Sequence, residues 1–354
     1  MTPALTLRAG PRALSILRER GLRPEDVDVV AGASGGPKWL VLGGLDRYLF
    51  GSFLAGGRAP RALVGSSIGS WRMACLAQAD PVAALARAQD AYIEQRYPKK
   101  PSAELVSETT AGILDVLLGP SGVDEILGNE RARLHVITAE MRGLGASARR
   151  SALLAGLTFA VLGNVVSRRT LGLHTRRHVF HAGETSALPE LSDLPTERHR
   201  LTAANLRSAL LASASIPLVL EGVPVPGAPG IHRDGGVVDY HPAFDFGPGE
   251  GLVLYPHFYP YLVPGWFDKS LPWRRASGRS LDRVLVIAPS REFVARLPNG
   301  KIPDRNDFYE LEDAARIAAW RGALTAGKAM AEELAELCAS GRLAESVEPL
   351  SPGR

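Results

Sequence analysis

The chain has 354 residues, 45% apolar and 22% charged, with 41 Lys+Arg against 37 Asp+Glu and a net charge of +4. Length and balance fit a globular protein with a sizeable core and exclude a disordered chain. The basic excess is too slight, and too free of interleaved aromatics, for a nucleic-acid partner, and two distant cysteines, Cys75 and Cys338, exclude a disulfide framework or a zinc cluster and fit reduced thiols in the cytoplasm.

Residues 5–22 carry Arg8, Arg12, Arg18, Glu19 and Arg20 and lack the unbroken apolar run of a secretory signal. They read as a short amphipathic helix, and residues 1–25 as an N-terminal helical segment. Residues 26–31 (DVDVVA) predict a strand, 32–36 a glycine-rich loop, and Pro37 the first turn of a helix running to about Phe50. Residues 61–65 predict the next strand and 68–78 a helix. Helices follow over 81–95 and 103–118, strands over 133–139 and 177–181, and a helix over 201–212. Strands alternating with helices predict a mostly parallel sheet covered on both faces.

The stretch 151–167 is free of charge and sits between Arg149-Arg150 and Arg168-Arg169. It is at the short limit for a bilayer span and Asn164 interrupts it. It reads as a buried or lid helix, with a transient membrane-surface contact as the alternative, its arginines meeting lipid phosphates. Past residue 245 the texture changes. Residues 255–266 (YPHFYPYLVPGW) are rich in aromatics and proline, a packed loop at the sheet edge or else an interfacial surface. Residues 283–288 predict a strand, and 307–339 a long charged helical stretch with Leu311, Ala315, Ile317 and Leu324 as its packing face. Residues 246–354 thus read as a C-terminal extension on the same core.

Three motifs carry chemistry. Gly65-Ser66-Ser67-Ile68-Gly69 follows the apolar run Ala62-Leu63-Val64, the strand-to-helix context of a nucleophile elbow. Glycines flank Ser67 because a Cβ there would collide with neighbouring elements. A serine on such a turn points to acyl transfer or ester hydrolysis through an acyl-serine. Its hydroxyl needs a base, and Asp234, in Asp234-Gly235-Gly236, is the best partner. The oxyanion needs preorganised donors, worth about 3 kcal/mol each. Ser34-Gly35-Gly36 precedes a helix N-terminus; Pro37 has no N–H, so the candidates are the amides of Gly35, Gly36 and Lys38. The same loop lacks the Gly-Lys-Ser/Thr of a nucleotide-binding P-loop.

Histidine offers competing readings. Ser67, Asp234 and His241 or His257 have the chain order of a Ser-acid-His triad, and His232 also lies near Asp234. Close spacing between Asp234 and His241 argues against that arrangement. His174, His178 and His181 form H-x3-H-x2-H, but the strand-like Val179-Phe180 splits them across two faces, so they predict no metal site.

Together the three motifs resemble the patatin-like phospholipase family, which has a glycine-rich oxyanion loop followed by a basic residue, then a G-x-S-x-G serine, then a D-G-G or D-G-A aspartate. Here Ser34-Gly35-Gly36-Pro37-Lys38, Gly65 to Gly69, and Asp234 to Gly236 stand in that order. Ser213-Ala214-Ser215-Ile216-Pro217, His135 to Ala139 and Asp234 to Val238 are similar to further stretches of the family. The resemblance covers about residues 26–245. It implies a three-layer α/β/α sandwich with a mostly parallel central sheet. It also implies a Ser67–Asp234 dyad without histidine, and no metal or cofactor. The implied function is a serine acyl hydrolase cleaving lipid-like carboxylic esters, in the manner of a phospholipase A or lysophospholipase, cytoplasmic and able to meet a membrane surface. The chain departs from the family pattern at Ser34 and Trp39, where glycines are usual, and at His241, where asparagine often precedes proline. Those departures leave open an acyltransferase or thioesterase with the same site, or a catalytically silent lipid-binding protein.

Overall fold

The computed structural model describes residues 2–57, 60–247 and 249–350; residues 1 and 351–354, the outer ends of the two terminal segments above, and residues 58, 59 and 248 lie outside the described residues. Ten strands among the described residues join one sheet: β1 (Leu5–Ala9), β2 (Val27–Gly32), β3 (Arg61–Ser66), β4 (Ala132–Met141), β5 (Thr175–His181), β6 (Thr196–Arg200), β7 (Ile231–Asp234), β8 (Leu252–Pro256), β9 (Val284–Pro289) and β10 (Val347–Pro349). Their order is β10-β1-β9-β8-β2-β3-β4-β5-β6, with β7 alongside β4. The central run β9-β8-β2-β3-β4 is parallel throughout. Every residue of β3, β8 and β9 is buried, as strands covered on both faces must be, which is why they read as continuous apolar runs. β1 is antiparallel to β9, and β5 and β7 are antiparallel to β4.

Flanking the sheet are α1 (Pro11–Arg20), α2 (Gly43–Tyr48), α3 (Ile68–Leu76), α4 (Pro81–Glu94), α5 (Ala103–Leu118), α6 (Gly122–Gly128), α7 (Arg150–Val166), α8 (Leu171–His174), α9 (Leu206–Ser213), α10 (Arg291–Ala295), α11 (Asp307–Glu310), α12 (Asp313–Ala326) and α13 (Lys328–Ala339). The result is a three-layer α/β/α sandwich with a mostly parallel central sheet. All nine residues of α3 are buried. That includes Arg72, whose guanidinium grips Asp46 of α2 through two hydrogen bonds of 2.8 and 2.6 Å and also reaches the Pro256 carbonyl that closes β8. A buried arginine of this kind needs every donor occupied, and the bidentate pair anchors α3 against its neighbours.

Several sequence expectations need correction. Residues 5–9 are not helical. Leu5, Leu7 and Ala9 point inward while Thr6 and Arg8 are half-buried, and the segment pairs with β9 and β10, leaving only α1 as helix. Period-two burial outweighs helix propensity there. The N-terminal 25 residues are therefore partly built into the sheet. The stretch after Pro37 starts as a 3₁₀ segment (Gly36–Leu42), and a π turn (Leu49–Phe53) follows α2. Residues 307–339 divide into α11, α12 and α13. The inward face of α12 holds Arg316, Trp320, Ala323 and Leu324, while Ala315 is exposed. Arg316 takes an inner position because its guanidinium donates to the carbonyls of Ile93 and Gln95. Residues 246–350 contribute β8, β9 and β10 to the common sheet. Within the aromatic stretch, Tyr255, Phe258, Leu262 and Val263 are buried, which fits a packed loop.

The helix α7 is two-sided. Leu153, Gly156, Leu157, Ala160 and Asn164 are buried, a helical stripe facing the protein. On the other side Leu154, Phe159, Leu162 and Val166 are 53%, 56%, 60% and 82% exposed. No helix among the described residues is long and apolar enough to cross a membrane.

Candidate active site

The parallel strands β2 and β3 end on the same edge of the sheet, where open α/β sheets place their ligands. The turn from β3 into α3 is Ser67, at φ 54° and ψ −133°. A non-glycine residue in that region is strained by about 1–3 kcal/mol, so the surroundings must hold it there. Gly69 allows α3 to lie directly against β2, since a Cβ on it would stand 2.2 Å from the Gly32 carbonyl oxygen. Gly65 lies in the same close contact at the end of β3. The Ser213 hydroxyl at the end of α9 accepts from the Ser67 amide at 2.9 Å and donates to the Ile137 carbonyl at 2.7 Å. Ser70 Oγ donates to the Ser67 carbonyl at 2.6 Å.

Asp234 ends β7. The antiparallel pairing sets it opposite Thr138, and its amide donates to Ser215 O at 2.9 Å. Gly235 then passes the Ile137 carbonyl so closely that a Cβ would be 2.1 Å from it. With the chain so pinned, Ser67 Oγ donates to Asp234 Oδ2 at 2.7 Å, while Oδ1 accepts from the Gly236 amide at 2.7 Å. Both side chains are buried. Burial pushes the Asp234 carboxyl above its ordinary value, against the opposing pull of the Ser67 and Gly236 hydrogen bonds.

The loop after β2 borders the same spot. Neither the Gly35 nor the Gly36 amide donates to an acceptor among the described residues. The amide of Lys38, the third residue of the 3₁₀ turn, likewise donates to no acceptor among the described residues, so it stays beside Gly35 and Gly36 as a candidate donor. Ser34 is a tie. Its amide donates to Tyr240 O at 2.8 Å, and its hydroxyl shares a hydrogen bond with Ser66 Oγ at 2.9 Å. Trp39 is buried edge-on against Tyr92, with ring centroids 5.8 Å apart, and contributes to the core.

Ser67 stands between two spaces. One is a cavity of about 650 Å³ with Ile68, Trp71, Ile113, Ile216 and Phe308 in its wall, a size and lining suited to an apolar ligand. The other is a recess of about 10 Å³ bounded by Ser34, Gly35, Ser67, Asp234, Tyr240 and Arg305, room for one water.

Three cations surround this centre. Arg305 lines both spaces, its Nε 3.3 Å from where a Cβ on Gly36 would be, and its side chain has no ion pair or hydrogen bond among the described residues. Lys269 Nζ sits 4.0 Å from the Tyr240 ring centroid and is pushed down to about 7 by burial and by the charges of Arg305 and Lys38. Burial also lowers Lys38. Arg305 and Lys269 lie past the last motif, and a lone cation carries no pattern by which the sequence could have marked it.

The histidines do not reach the pair. His241 Nδ1 accepts from the Val263 amide, His257 Nδ1 from the Tyr259 amide, and His232 bonds Thr138 and Pro229. The only side-chain partner of Ser67 Oγ among the described residues is Asp234.

A serine on a strand–helix elbow, bonded to a carboxylate at the strand ends of an α/β/α sandwich, defines a class of acyl-hydrolase architecture distinct from the histidine-containing triads. The chain belongs to the patatin-like phospholipase family, whose model matches residues 41–246. Members of that family are generally lipid acyl hydrolases acting on lipid esters. The match begins after Gly36 and ends before Lys269 and Arg305. No curated protein matches the chain.

Proposed function

We propose that the protein hydrolyses lipid-like carboxylic esters through a Ser67–Asp234 dyad. The observation that carries this reading is the 2.7 Å Ser67 Oγ–Asp234 Oδ2 hydrogen bond in a site that no histidine joins. Asp234 takes the Ser67 proton as Oγ attacks the ester carbonyl carbon. The amides of Gly35 and Gly36 hold the oxyanion, each worth about 3 kcal/mol. Collapse breaks the ester C–O bond, and the alcohol leaves with the proton from Asp234. A water in the small recess then attacks the acyl carbon, giving its proton to Asp234; collapse returns that proton to Ser67 and releases the carboxylic acid. The acyl chain occupies the large cavity.

Residues 26–245 carry this chemistry, and the segment beyond supplies charge through Lys269 and Arg305. Those cations, with Lys38, favour an ester bearing an anionic head group such as a phosphate. Free donors at Gly35 and Gly36 speak against a silent lipid-binding protein, despite Ser34 and Trp39. The exposed face of α7, bracketed by arginines, serves as the lipid-surface contact. Arg150 Nη1 donates to Leu218 O at 3.1 Å, beside the cavity-lining Val219.

The test is fluorophosphonate labelling of the purified chain with mass-spectrometric site mapping. A single adduct on Ser67, together with release of free fatty acid from a phospholipid, is the expected result. An unmodified Ser67 overturns the enzyme reading.

A further inference from the structure

Across β4 from Asp234, where Thr138 pairs with Asp234 on one side and His178 on the other, the outer strands hold an unused cluster. β5 and β6 are parallel, and their register sets His178 opposite Glu197 and Phe180 opposite His199. His178 is wholly buried, and its Nδ1 faces His199 Nε2 at 2.8 Å. Glu197 Oε2 stands 4.0 Å from the first nitrogen and 3.7 Å from the second. The three ligand atoms lie within 4.8 Å of one another.

The surrounding bonds fix which atoms face inward. His178 Nε2 meets Glu140 Oε2 at 3.0 Å, and a carboxylate only accepts, so that nitrogen carries the proton. Arg176 holds Glu197 Oε1, leaving Oε2 for the cluster. The His232 ring packs edge-on against His178, with centroids 4.6 Å apart. His178 Nδ1 therefore presents a lone pair toward His199 Nε2 at hydrogen-bond distance, beside the Glu197 carboxylate. A lone pair held beside a carboxylate can take a metal cation in place of a proton from His199.

We propose that His178, His199 and Glu197 bind a divalent transition-metal ion, with zinc as the best fit, tying the edge strand β6 to β5. Zinc takes nitrogen at about 2.0–2.1 Å and carboxylate oxygen at about 2.0–2.2 Å, so tetrahedral ligand atoms stand roughly 3.3 Å apart. The separations of 2.8, 3.7 and 4.0 Å bracket that value, and side-chain shifts below about 1 Å close the site. Imidazole with one carboxylate suits zinc and its neighbours over magnesium or calcium. Glu140 on His178 is an outer partner of the kind that metal-bound histidines require. Glu197 is partly exposed, which gives the ion access and leaves a fourth position on the solvent side. This site is independent of the Ser67–Asp234 reading and supplies no step to it.

The H-x3-H-x2-H run contributes only His178 to this cluster. His181 points to the opposite face, stacked on His135. The ligands that join His178 come from Glu197-Arg198-His199, on a strand too polar to be read from sequence.

Calorimetric titration of the chelator-treated full chain with zinc chloride tests the site. One saturable site per chain is expected, with a rise in Tm of about 5 °C at saturation. Affinity is expected to fall at least 100-fold in His199→Ala and in Glu197→Gln. It should recover in His199→Cys and stay unchanged in His181→Ala. The variants at 197 and 199 sit at a partly exposed edge and are compared with the chelated wild type by Tm, so that misfolding is recognised; Glu140→Gln, expected to weaken binding 10–100-fold, gives an independent reading. No saturable binding by the wild type, or undiminished binding by both His199→Ala and Glu197→Gln, overturns the proposal and leaves a proton between the two rings.

Discussion

Asp234 Oδ2 lies 2.7 Å from Ser67 Oγ although 167 positions separate them in the chain. Two strands account for the meeting. β3 delivers Ser67 at the edge of the sheet, and its neighbour β4 runs on past that edge far enough to pair with β7, setting Asp234 opposite Thr138. Ser213 ties the two together, because one hydroxyl accepts from the Ser67 amide and donates to Ile137 of β4. The dyad is thus positioned by backbone register, with no histidine needed to bridge it.

Replacing either member should abolish turnover while leaving the fold intact. Ser67→Ala and Asp234→Asn are each expected to lower kcat/KM for a chromogenic ester by about 10⁴-fold. Circular dichroism should be unchanged, since Asn still presents an oxygen to the Gly236 amide. Ester hydrolysis at the wild-type rate in purified Ser67→Ala would remove the serine from the mechanism.

Burial of Asp234 sets a sign for the pH dependence. The working base is the carboxylate, present above its pKa and lost as pH falls through it. Because burial raises that pKa, the acid limb of kcat/KM should lie above the pH at which an exposed aspartate titrates. The same shift means the folded state holds the proton more tightly than the unfolded one. Asp234 then weakens the fold at neutral pH, and the penalty is relieved as pH drops through the folded pKa. Asp234→Asn should therefore melt at or above the wild-type Tm at pH 7.5, an inactive variant that is no less stable. A lower Tm would contradict this assignment.

Arg305 and Lys269 make the head group's charge matter. Arg305→Gln is expected to raise KM about tenfold for a phosphate-bearing ester, equivalent to about 1.4 kcal/mol, with little change for a short neutral ester. Lys269 titrates near 7, so the preference for anionic over neutral substrate should decline as pH rises from 6 to 8. In Lys269→Arg, whose charge persists, the preference should stay flat. Equal effects on both ester types would show that these cations support the fold and not the ligand.

How much could be read beforehand followed from how local each constraint is. Ser67 could be singled out because the elbow demands glycines at fixed offsets, within five consecutive residues. Of the inner strands, β2, β3, β4 and β9 were readable because burial leaves runs such as Val-Leu-Val-Ile in β9, whereas β8 was missed because its Tyr255-Pro256 end merges into the aromatic, proline-rich stretch. β1 escaped because its five residues include Arg8 and run on toward Arg12, so that together with α1 they imitate one amphipathic helix, while Thr-Glu-Arg-His-Arg of β6 has no apolar side at all. Arg72–Asp46, Arg305 and the His178–Glu197–His199 cluster depend on packing between elements distant in sequence, and no spacing rule connects them. Arg316 misled because a buried guanidinium bonded to two carbonyls takes a position that periodicity reserves for an apolar side chain.

The outward face of α7 yields the remaining prediction, and it turns on substrate form. Leu154, Phe159, Leu162 and Val166 are exposed together on one side of a helix whose opposite stripe is fully used. Arg149 and Arg150 precede that face, and Arg168 and Arg169 follow it. An apolar patch framed by cations gains most at an anionic lipid surface, where burial of the side chains and attraction to head groups add. The double variant Phe159→Ser, Leu162→Ser should lose at least tenfold in activity on vesicles containing anionic phospholipid. It should retain full activity on a water-soluble short-chain ester, because neither residue lines the cavity beside Ser67. Vesicle co-sedimentation should fall in parallel and weaken further as salt is raised. Equal loss on both substrates would mean that α7 shapes the active site from within, and unchanged activity on vesicles would show that the helix face has no part in meeting lipid.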